Sequence, residues 1–438
     1  MKRSNTLTNI GHRAWYAVVF WACAWFFCVL GGYYVLRPVR EEMATQVSKE
    51  ELQQLILAVF VLMLLASPLY SWLVARFSRR LLVRLIYRFF ELCLFCFWLV
   101  LRSESLAEHP WVPRLFFIWV SVFNLFAVSI FWSFATDVFS KEHAKIFFGV
   151  MAAGGTLGAI VGSFAAGQLA PVLGIAGLLW IPLVLLELAT FLMAGMHRAA
   201  RRLQMPSASH TPTTDTPGEE GDEPIGGGIW AGLLSIVRSP YLSAICLLLL
   251  MSQLCGTTSY FQQQEIVPSQ VADRAQRLKV FADINLWGQV LTVVLQAFVA
   301  GHLMRFGGLA LTLCILPVVY LASFLALGAD PTLLVLALAQ IVQRGTSLGL
   351  MVPAEHALFT VVSREDKYKA KSFIDTAIFR GGDVLASWLF VTTRQHWTLT
   401  QISYLMVPVV ACWMPIAWWL GRQAGHAGKT AEKNERPA

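Results

Sequence analysis

The sequence predicts an all-α polytopic membrane protein whose twelve transmembrane helices form two six-helix halves. Hydrophobic residues occupy 57% of the 438 positions and charged residues only 14%, a composition that a water-exposed surface could not carry. Apolar stretches of about 20 residues, the length that spans a bilayer, recur from Trp15 to Leu420. A polar, Pro/Gly/Thr-rich segment within residues 198–240 separates them into two groups of six.

The apolar stretches define the predicted spans. The first is not followed by a small-residue cleavage site, so we expect a retained helix and not a signal peptide. The spans are residues 15–36, 52–75, 82–101, 114–137, 146–169, 173–196, 241–264, 279–303, 308–328, 332–361, 372–393 and 400–420.

The predicted domains follow from this division. An N-terminal half (1–197) is joined by a cytoplasmic linker (198–240) to a C-terminal half (241–421), and a cytoplasmic tail (422–438) follows. If the N-terminus is cytoplasmic, most of the 34 Lys and Arg residues lie on the cytoplasmic side, as the positive-inside rule requires. We therefore expect both termini in the cytoplasm, and we interpret the net charge of +8 as a sign of orientation and not of nucleic-acid binding.

A short pattern occurs at the same place in each half. The first copy is Phe139–Lys145 followed by a Gly-Gly pair, and the second is Val362–Asp366 followed by Ala-Lys and a Gly-Gly pair. Both give Ser, a basic residue, Glu, Ala-Lys and Gly-Gly in the same order. Since six spans per half preserve topology, the repeat is parallel, an arrangement typical of transporters built from two similar halves.

The fifth span carries glycines at four-residue intervals. Gly154, Gly158 and Gly162 fall on one helix face, where the backbone of a neighbouring helix can come close. We expect a packing seam there, and the sequence leaves open whether the seam slides.

Several classes of function are excluded by what the sequence lacks. It contains no G-x-x-x-x-G-K-[ST] phosphate loop and no H-E-x-x-H metal motif, and no loop is long enough to fold into a catalytic module. The eight Cys residues lie in apolar segments and the nine His residues are scattered. We expect neither an enzyme nor an ATP-driven pump, and no metal or cofactor.

Four arginines are the main candidates for substrate binding. Arg37 and Arg40 lie three residues apart at the end of the first span and share a face, and Arg344 and Arg380 lie inside the tenth and eleventh spans. A charge at that depth costs about 2.5–3.5 kcal/mol on insertion scales, and a guanidinium suits phosphate because it donates two parallel hydrogen bonds. Arg37 and Arg40 could instead reach the membrane interface and pair with Glu41 and Glu42. Arg344 and Arg380 could instead form ion pairs inside the membrane with Asp283, Glu355, Asp375 or Asp383.

Span eight carries a second group of polar candidates. Asp283 and Asn285 lie among Phe281, Trp287 and Gln289, a cluster that could hold a base or, through Asp283, a coupling proton. Pairing of Asp283 with an arginine would remove the proton-carrying role.

Charged residues around the two copies of the repeat are candidates for a cytoplasmic gate. They could latch the gate or cap the helices that follow, and the sequence favours neither. They are Asp137, Glu142 and Lys145 in the first half and Glu365, Lys371 and Asp375 in the second.

Three stretches carry a resemblance to a known family: Leu36–Glu42, Phe131–Phe134 with Glu142–Lys145, and Arg364–Lys371 with Ile374-Asp375 and Gly381-Gly382. They resemble motifs of the ATP/ADP antiporter family of obligate intracellular bacteria and plastids, a divergent branch of the major-facilitator fold. The family has these motifs at the end of its first span and around the turns after its fourth and tenth spans, and Cys255 and Gly256 stand where it has a glutamate. The resemblance implies a major-facilitator-like fold in a bacterial inner membrane, Arg40 at the place of a functional lysine, and Glu142 at that of a glutamate.

Together these observations predict a secondary active transporter that works by alternating access on an organic anion. By the resemblance, the solute is a nucleotide such as ATP or ADP, or another phosphorylated compound, moved by exchange or by ion coupling. The expected partners are this solute and the lipid bilayer, and the sequence leaves the oligomeric state open. Two alternatives stay open: a proton-coupled major-facilitator transporter of an unrelated solute, and a membrane partner protein that does not transport.

Overall fold

A computed structural model describes residues 2–139, 141–204, 236, 238–362 and 374–434. Within these residues the chain forms long helices at the predicted spans, with the sixth predicted span (173–196) crossing the boundary between two helices, and is free of strands, which confirms the all-α fold. The π-helical turn Ile374–Ile378 precedes the eleventh helix. The helices are α1 Lys2–Ala44, α2 Lys49–Arg76, α3 Arg79–Arg102, α4 Trp111–Val138, α5 Lys141–Leu178, α6 Trp180–Gln204, α7 Pro240–Gln270, α8 Arg274–Phe306, α9 Gly308–Ala329, α10 Leu333–Leu358, α11 Phe379–Arg394 and α12 Leu399–Asn434.

Nine of the helices in the described part of the chain are long and apolar enough to cross a membrane. Large apolar side chains cover the outside of the bundle, among them Val172 (79% exposed), Phe306 (78%) and Phe20 (66%). Such a surface is stable only against lipid. The molecule is therefore a multi-pass membrane protein.

Polar caps mark where several helices begin. The Ser48 hydroxyl accepts the backbone N–H of Glu51, whose carboxylate accepts the N–H of Ser48, and Asp273 accepts the N–H of Gln276 at the start of α8. Arg114 donates to Glu51, and this bond, followed by that from Ser48, holds the pKa of the Glu51 carboxyl below its usual range. These caps satisfy N–H groups that have no partner inside the helix.

The apolar core is divided between the two halves. Trp25 and Phe131, whose ring centroids are 5.1 Å apart, belong to a core in the N-terminal half, and Tyr320 and Trp413, 5.9 Å apart, belong to one in the C-terminal half. A smaller cluster joins the halves near the short connections 45–48, 271–273 and 395–398. We call this end of the bundle the outer end, because the predicted orientation places it outside the cytoplasm. The smaller cluster includes Leu52, Leu55, Val59, Phe117, Phe261 and Phe390.

Helix α1 is packed directly onto the glycine face of α5. A Cβ added at Gly158 would collide with the backbone carbonyl of Phe27, and one added at Gly162 would collide with that of Gly31. The predicted packing seam is therefore present between these two helices.

At two places the helices differ from the limits of the predicted spans. Helix α1 continues through Pro38 to Ala44, although Pro38 cannot donate a hydrogen bond to the carbonyl four residues earlier. Within Lys141–Leu178, Gly174 takes φ 65° and ψ 177°, a conformation that favours glycine. The backbone therefore breaks at Gly174, close to the predicted start of the sixth span, although helix resumes before Trp180.

Candidate functional site

A cavity of about 310 Å³ lies between the two halves. Helices α1, α2 and α4 of the N-terminal half and α7 and α11 of the C-terminal half contribute to its wall. Its charged residues are three arginines and one aspartate, so the wall carries a positive excess. The lining residues are Arg37, Arg40, Ile56, Val59, Phe60, Phe117, Ser121, Gln253, Gly256, Thr257, Tyr260, Arg380 and Asp383.

Arg40 is the least neutralised of the cavity arginines. Its Nη1 donates to the hydroxyl of Ser121 at 3.4 Å, and its guanidinium carbon lies 5.3 Å from the ring centroid of Phe117. The buried Nε of Arg40 has no hydrogen-bond partner, and in the described ranges no carboxylate forms an ion pair with it. A buried donor without a partner costs free energy, so the guanidinium of Arg40 is incompletely satisfied in this structure.

Arg380 lines the cavity from the C-terminal half. Its Nη1 lies 3.8 Å from Oδ2 of Asp383, a loose pair that leaves most of the guanidinium donors available. The other oxygen of Asp383 accepts hydrogen bonds from Gln253 at 2.7 Å and from Thr257 at 3.0 Å. Neutral donors therefore hold the aspartate in place while the arginine faces the cavity.

Arg37 and Arg344 share the carboxylate of Glu41. Arg37 Nε donates to Glu41 Oε1 at 3.1 Å, and Arg344 Nη2 lies 3.7 Å from the same oxygen. Arg344 also donates to Asn285 and, at 3.1 Å, to Gln263. We call Arg37, Glu41, Asn285 and Arg344 the central bridge. Neither Arg344 nor Glu41 lines the cavity, and Glu41 connects Arg344 to Arg37 in the cavity wall. The sequence predicts that Arg344 binds the substrate directly, and the structure places it behind the wall instead.

Asp283 lies away from the cavity. It accepts a hydrogen bond from Lys279 Nζ at 2.9 Å and is 39% exposed, at the edge of an apolar groove between α8 and α10 that includes Trp287. Asn285, two residues later, is 2% exposed and donates to Glu41 Oε2 at 3.1 Å. Residues two positions apart in a helix are separated by about 200° around its axis, so Asp283 and Asn285 cannot face the same side. The structure therefore gives no geometric support to a substrate-binding or coupling role for Asp283 in the cavity.

The predicted gate residues cannot be placed. The side chains of Asp137, Glu142, Lys145 and Asp375, and the whole of Glu365 and Lys371, lie outside the described residues. Their assignment to a gate therefore stays a prediction.

Ion pairs between the halves at the outer end were not anticipated from the sequence. Glu42, which is fully buried, accepts from Arg274 Nε at 3.1 Å and from Arg277 Nη2 at 3.2 Å. Glu265 lies 3.1 Å from Lys49 Nζ, across the halves, and 3.1 Å from Arg394 Nη2, within the C-terminal half. We call these contacts the outer ion pairs. Charges near the ends of spans were the available signal, but sequence spacing cannot pair residues more than 200 positions apart.

The outer ion pairs and the apolar cluster beside them lie between the cavity and the outer end. Both cross from one half to the other. The halves are consequently in contact at the outer end, and a solute in the cavity is separated from that side by packed and ion-paired residues.

This arrangement can be compared with known proteins. The family model of the Major Facilitator Superfamily matches residues 22–363. The chain belongs to the Major Facilitator Superfamily. A comparison with curated protein sequences finds no match, so the narrower resemblance to ATP/ADP antiporters stays a prediction.

Solved structures of other transporters have the same fold. A mutant of the nucleoside transporter NupG is similar with a TM-score of 0.64 at 12% identity, over 92% of this chain and 99% of that one. An auto-inhibited POT family peptide transporter gives 0.59 at 14% identity, over 96% and 99%. A bacterial homologue of the human lysosomal transporter Spinster, inward-facing and unoccupied, gives 0.53 at 14%, over 96% and 98%. At these identities the likeness shows the fold alone.

Proposed function

We propose that this protein is a secondary active transporter of an organic anion, and that the solute is a nucleotide or another phosphorylated compound. The observation that carries the proposal is the meeting of Arg37 and Arg40, from the N-terminal half, with Arg380, from the C-terminal half, around one cavity. The proposed setting is a bacterial inner membrane with both termini in the cytoplasm.

The chemistry of the cavity wall supports an anionic solute with a polar or aromatic remainder. Three guanidinium groups and one carboxylate leave an excess of positive charge, and arginine binds phosphate in a bidentate geometry. Ser121, Gln253 and Thr257 offer neutral hydrogen-bonding groups, and Phe117 and Tyr260 offer ring faces. A cavity of this size fits a small solute and is typical of ligand sites at the interface between two structural units.

The position of the cavity supports alternating access. It lies between halves that touch at the outer end through the outer ion pairs, and such transporters expose a midplane site to each side in turn by rocking one half against the other. In the absence of an ATP-hydrolysing motif, transport would draw on solute exchange or on an ion gradient.

A proton-coupled transporter of an unrelated solute is the second candidate, and Asp383 is the observation that favours it. This carboxylate lines the cavity and pairs only loosely with Arg380, so it could take up a proton. A partner protein without transport activity is disfavoured, because a collapsed site with fully paired charges is expected for it and Arg40 keeps an unpartnered buried donor.

Uptake of labelled nucleotides into proteoliposomes tests the proposal. The wild type, Arg40→Gln and a control, Arg102→Gln, are compared with unlabelled nucleotide preloaded or absent. Arg102 stacks on Trp98 at 5.2 Å at the end of α3, outside the cavity wall. We expect uptake of an anionic solute by the wild type and the control, and its loss in Arg40→Gln.

Each outcome of that experiment has a distinct meaning. A requirement for preloaded nucleotide would support exchange, and uptake driven by a pH gradient alone would support the second candidate. Undiminished uptake by Arg40→Gln would contradict the anion site. Absence of uptake for every nucleotide, with the protein inserted, would reject nucleotides as the solute and direct the assay to other phosphorylated compounds.

A further inference from the structure

The carboxylate of Glu41 occupies one of the arginines that the proposed function assigns to the substrate. We propose that Glu41 is an internal counter-anion, which competes with the anionic group of the substrate for Arg37 and turns to Arg344 when that group binds. The inference rests on the proposed function and names a residue that sets anion affinity and links binding to the contact between the halves.

Both oxygens of Glu41 are engaged, and the residue is 1% exposed. Oε1 receives Arg37 Nε at 3.1 Å and has Arg344 Nη2 at 3.7 Å, and Oε2 receives Asn285 Nδ2 at 3.1 Å. Arg37 belongs to the N-terminal half and lines the cavity, whereas Asn285 and Arg344 belong to α8 and α10. The carboxylate thus lies between an arginine that a solute can reach and one that the cavity wall does not include.

Arg37 cannot satisfy two anions equally well. A bidentate bond to a phosphate uses the parallel donors of the guanidinium, and Arg37 already gives Nε to Glu41 and has Nη1 3.5 Å from the Tyr34 hydroxyl. A substrate anion on the Nη donors would share this guanidinium with Glu41, and the repulsion between the two negative charges would weaken the bond to Glu41. The affinity of the cavity for anions therefore includes the free energy of displacing an internal carboxylate.

A displaced buried carboxylate needs another cation, because an unpaired buried charge is strongly unfavourable. Arg344 is positioned to supply it. Its separation of 3.7 Å from Glu41 is longer than the 2.7–2.9 Å of a charge-assisted hydrogen bond, so a short movement would strengthen the pair. Asn285 and Gln263 hold the Arg344 guanidinium in place for that movement.

This transfer would couple the binding of the anion to the contact between the halves. Glu41 is on α1, whereas its second cation is on α10, so a tighter Glu41–Arg344 pair is a tighter contact across the molecule. Because such coupling is reciprocal, a change on either side of the pair must change the affinity for the anion. The two single substitutions are expected to act in opposite directions.

Glu42 provides a matched control. It is the next residue, is fully buried, and also pairs with arginines of the C-terminal half, Arg274 and Arg277. None of these three residues lines the cavity. A substitution at Glu42 therefore removes a buried carboxylate between the halves without removing a competitor of the substrate.

The test is binding of inorganic pyrophosphate to the purified full-length protein, measured by titration calorimetry. Glu41→Gln should lower the dissociation constant about tenfold, because Arg37 loses its internal anion, and Arg344→Gln should raise it about tenfold, because Glu41 then depends on Arg37 alone. The double variant should bind more tightly than Arg344→Gln. Glu42→Gln, which frees no arginine of the cavity wall, should change the dissociation constant far less than Glu41→Gln.

The outcomes separate this inference from the proposed function. If the wild type and Glu41→Gln both fail to bind pyrophosphate, the cavity is not an anion-binding site. The proposed competition between Glu41 and the substrate is then rejected as well. If the wild type binds and Glu41→Gln binds no more tightly, only the role of Glu41 is rejected. Should Glu41→Gln fail to fold, the double variant decides: binding no tighter than that of Arg344→Gln overturns the inference.

Discussion

Two layers of charged contacts join the halves, and they differ in whether a cavity adjoins them. In the outer ion pairs each carboxylate meets two cations, Glu42 with Arg274 and Arg277, and Glu265 with Lys49 and Arg394. None of these residues lines the cavity between the halves. The outer layer therefore has the geometry of a contact that holds the halves together.

The central layer consists of the central bridge and Arg40, and two of its arginines, Arg37 and Arg40, line the cavity. Glu41 is shared by Arg37 and Arg344, while Arg40 lies beside them with a buried donor unpartnered. Glu41 and Glu42 are adjacent and similarly buried, but about 100° of helix rotation directs one toward the cavity arginines and the other toward the outer end. The same chemistry thus serves binding or closure according to whether a cavity adjoins it.

The largest effect on stability is expected in the outer layer. Glu42→Gln leaves Arg277, which is 13% exposed, without its carboxylate, and breaking a buried pair costs about 3–5 kcal/mol. We expect a clear fall in the thermal unfolding midpoint of the purified protein. An unchanged midpoint would show that the outer ion pairs do not hold the halves together.

The next largest effect is expected on anion affinity, from Arg380→Gln. A hydrogen bond to a charged group contributes roughly 1.5–3 kcal/mol, so the Michaelis constant for the transported anion should rise about 10- to 100-fold. Because this side chain is 41% exposed, the unfolding midpoint should hardly change. Arg394→Gln, at the outer end of the same helix, is the control and should show the reverse pattern; a shared pattern would contradict the division into two layers.

A smaller effect of opposite sign is expected from Asp383→Asn. Removing a negative charge from the cavity wall should lower the Michaelis constant for an anion several-fold, since an opposing charge near a surface cavity contributes about 1 kcal/mol or less. Asparagine can keep the hydrogen bonds with Gln253 and Thr257. Uptake rates with and without an imposed pH gradient are the measurement. Selective loss of gradient-driven uptake would favour proton coupling through Asp383.

The smallest effect is expected from Lys49→Gln. Lys49 is 36% exposed, and Glu265 keeps Arg394 as a partner, so the loss should be about 0–1 kcal/mol. The unfolding midpoint should move far less than in Glu42→Gln. A comparable fall in both variants would mean that the contribution of an outer ion pair to stability does not depend on its burial.

The helices could be predicted because lipid imposes a length and a composition on each span, as the match between predicted spans and α1–α12 shows. The shared face of Arg37 and Arg40 follows from their spacing of three, and both line the cavity. The orientation of α8 could not be predicted in this way. Several of its faces are apolar, so packing against neighbouring helices decides that Asn285 points inward and Asp283 does not.

The partners of adjacent acidic residues were also beyond prediction. The sequence favours Glu41 and Glu42 alike as partners of Arg37 and Arg40, and the structure gives Glu41 to Arg37 but Glu42 to Arg274 and Arg277. Residues 232 and 235 positions apart meet only because the two halves dock. Sequence spacing describes one helix and contains no information on that docking.

The glycine face of α5 has a mechanical consequence for the arginines. With the carbonyl groups of Phe27 and Gly31 set against Gly158 and Gly162, α1 cannot shift along α5 without steric collision, so the two helices form a stiff arm. Arg40 lies about 13 Å further along α1 than Gly31, toward the end of that arm that meets the C-terminal half through Glu42. A small tilt of the helix pair would therefore move the guanidinium groups further than it moves the glycine contact, with no bending of α1 itself.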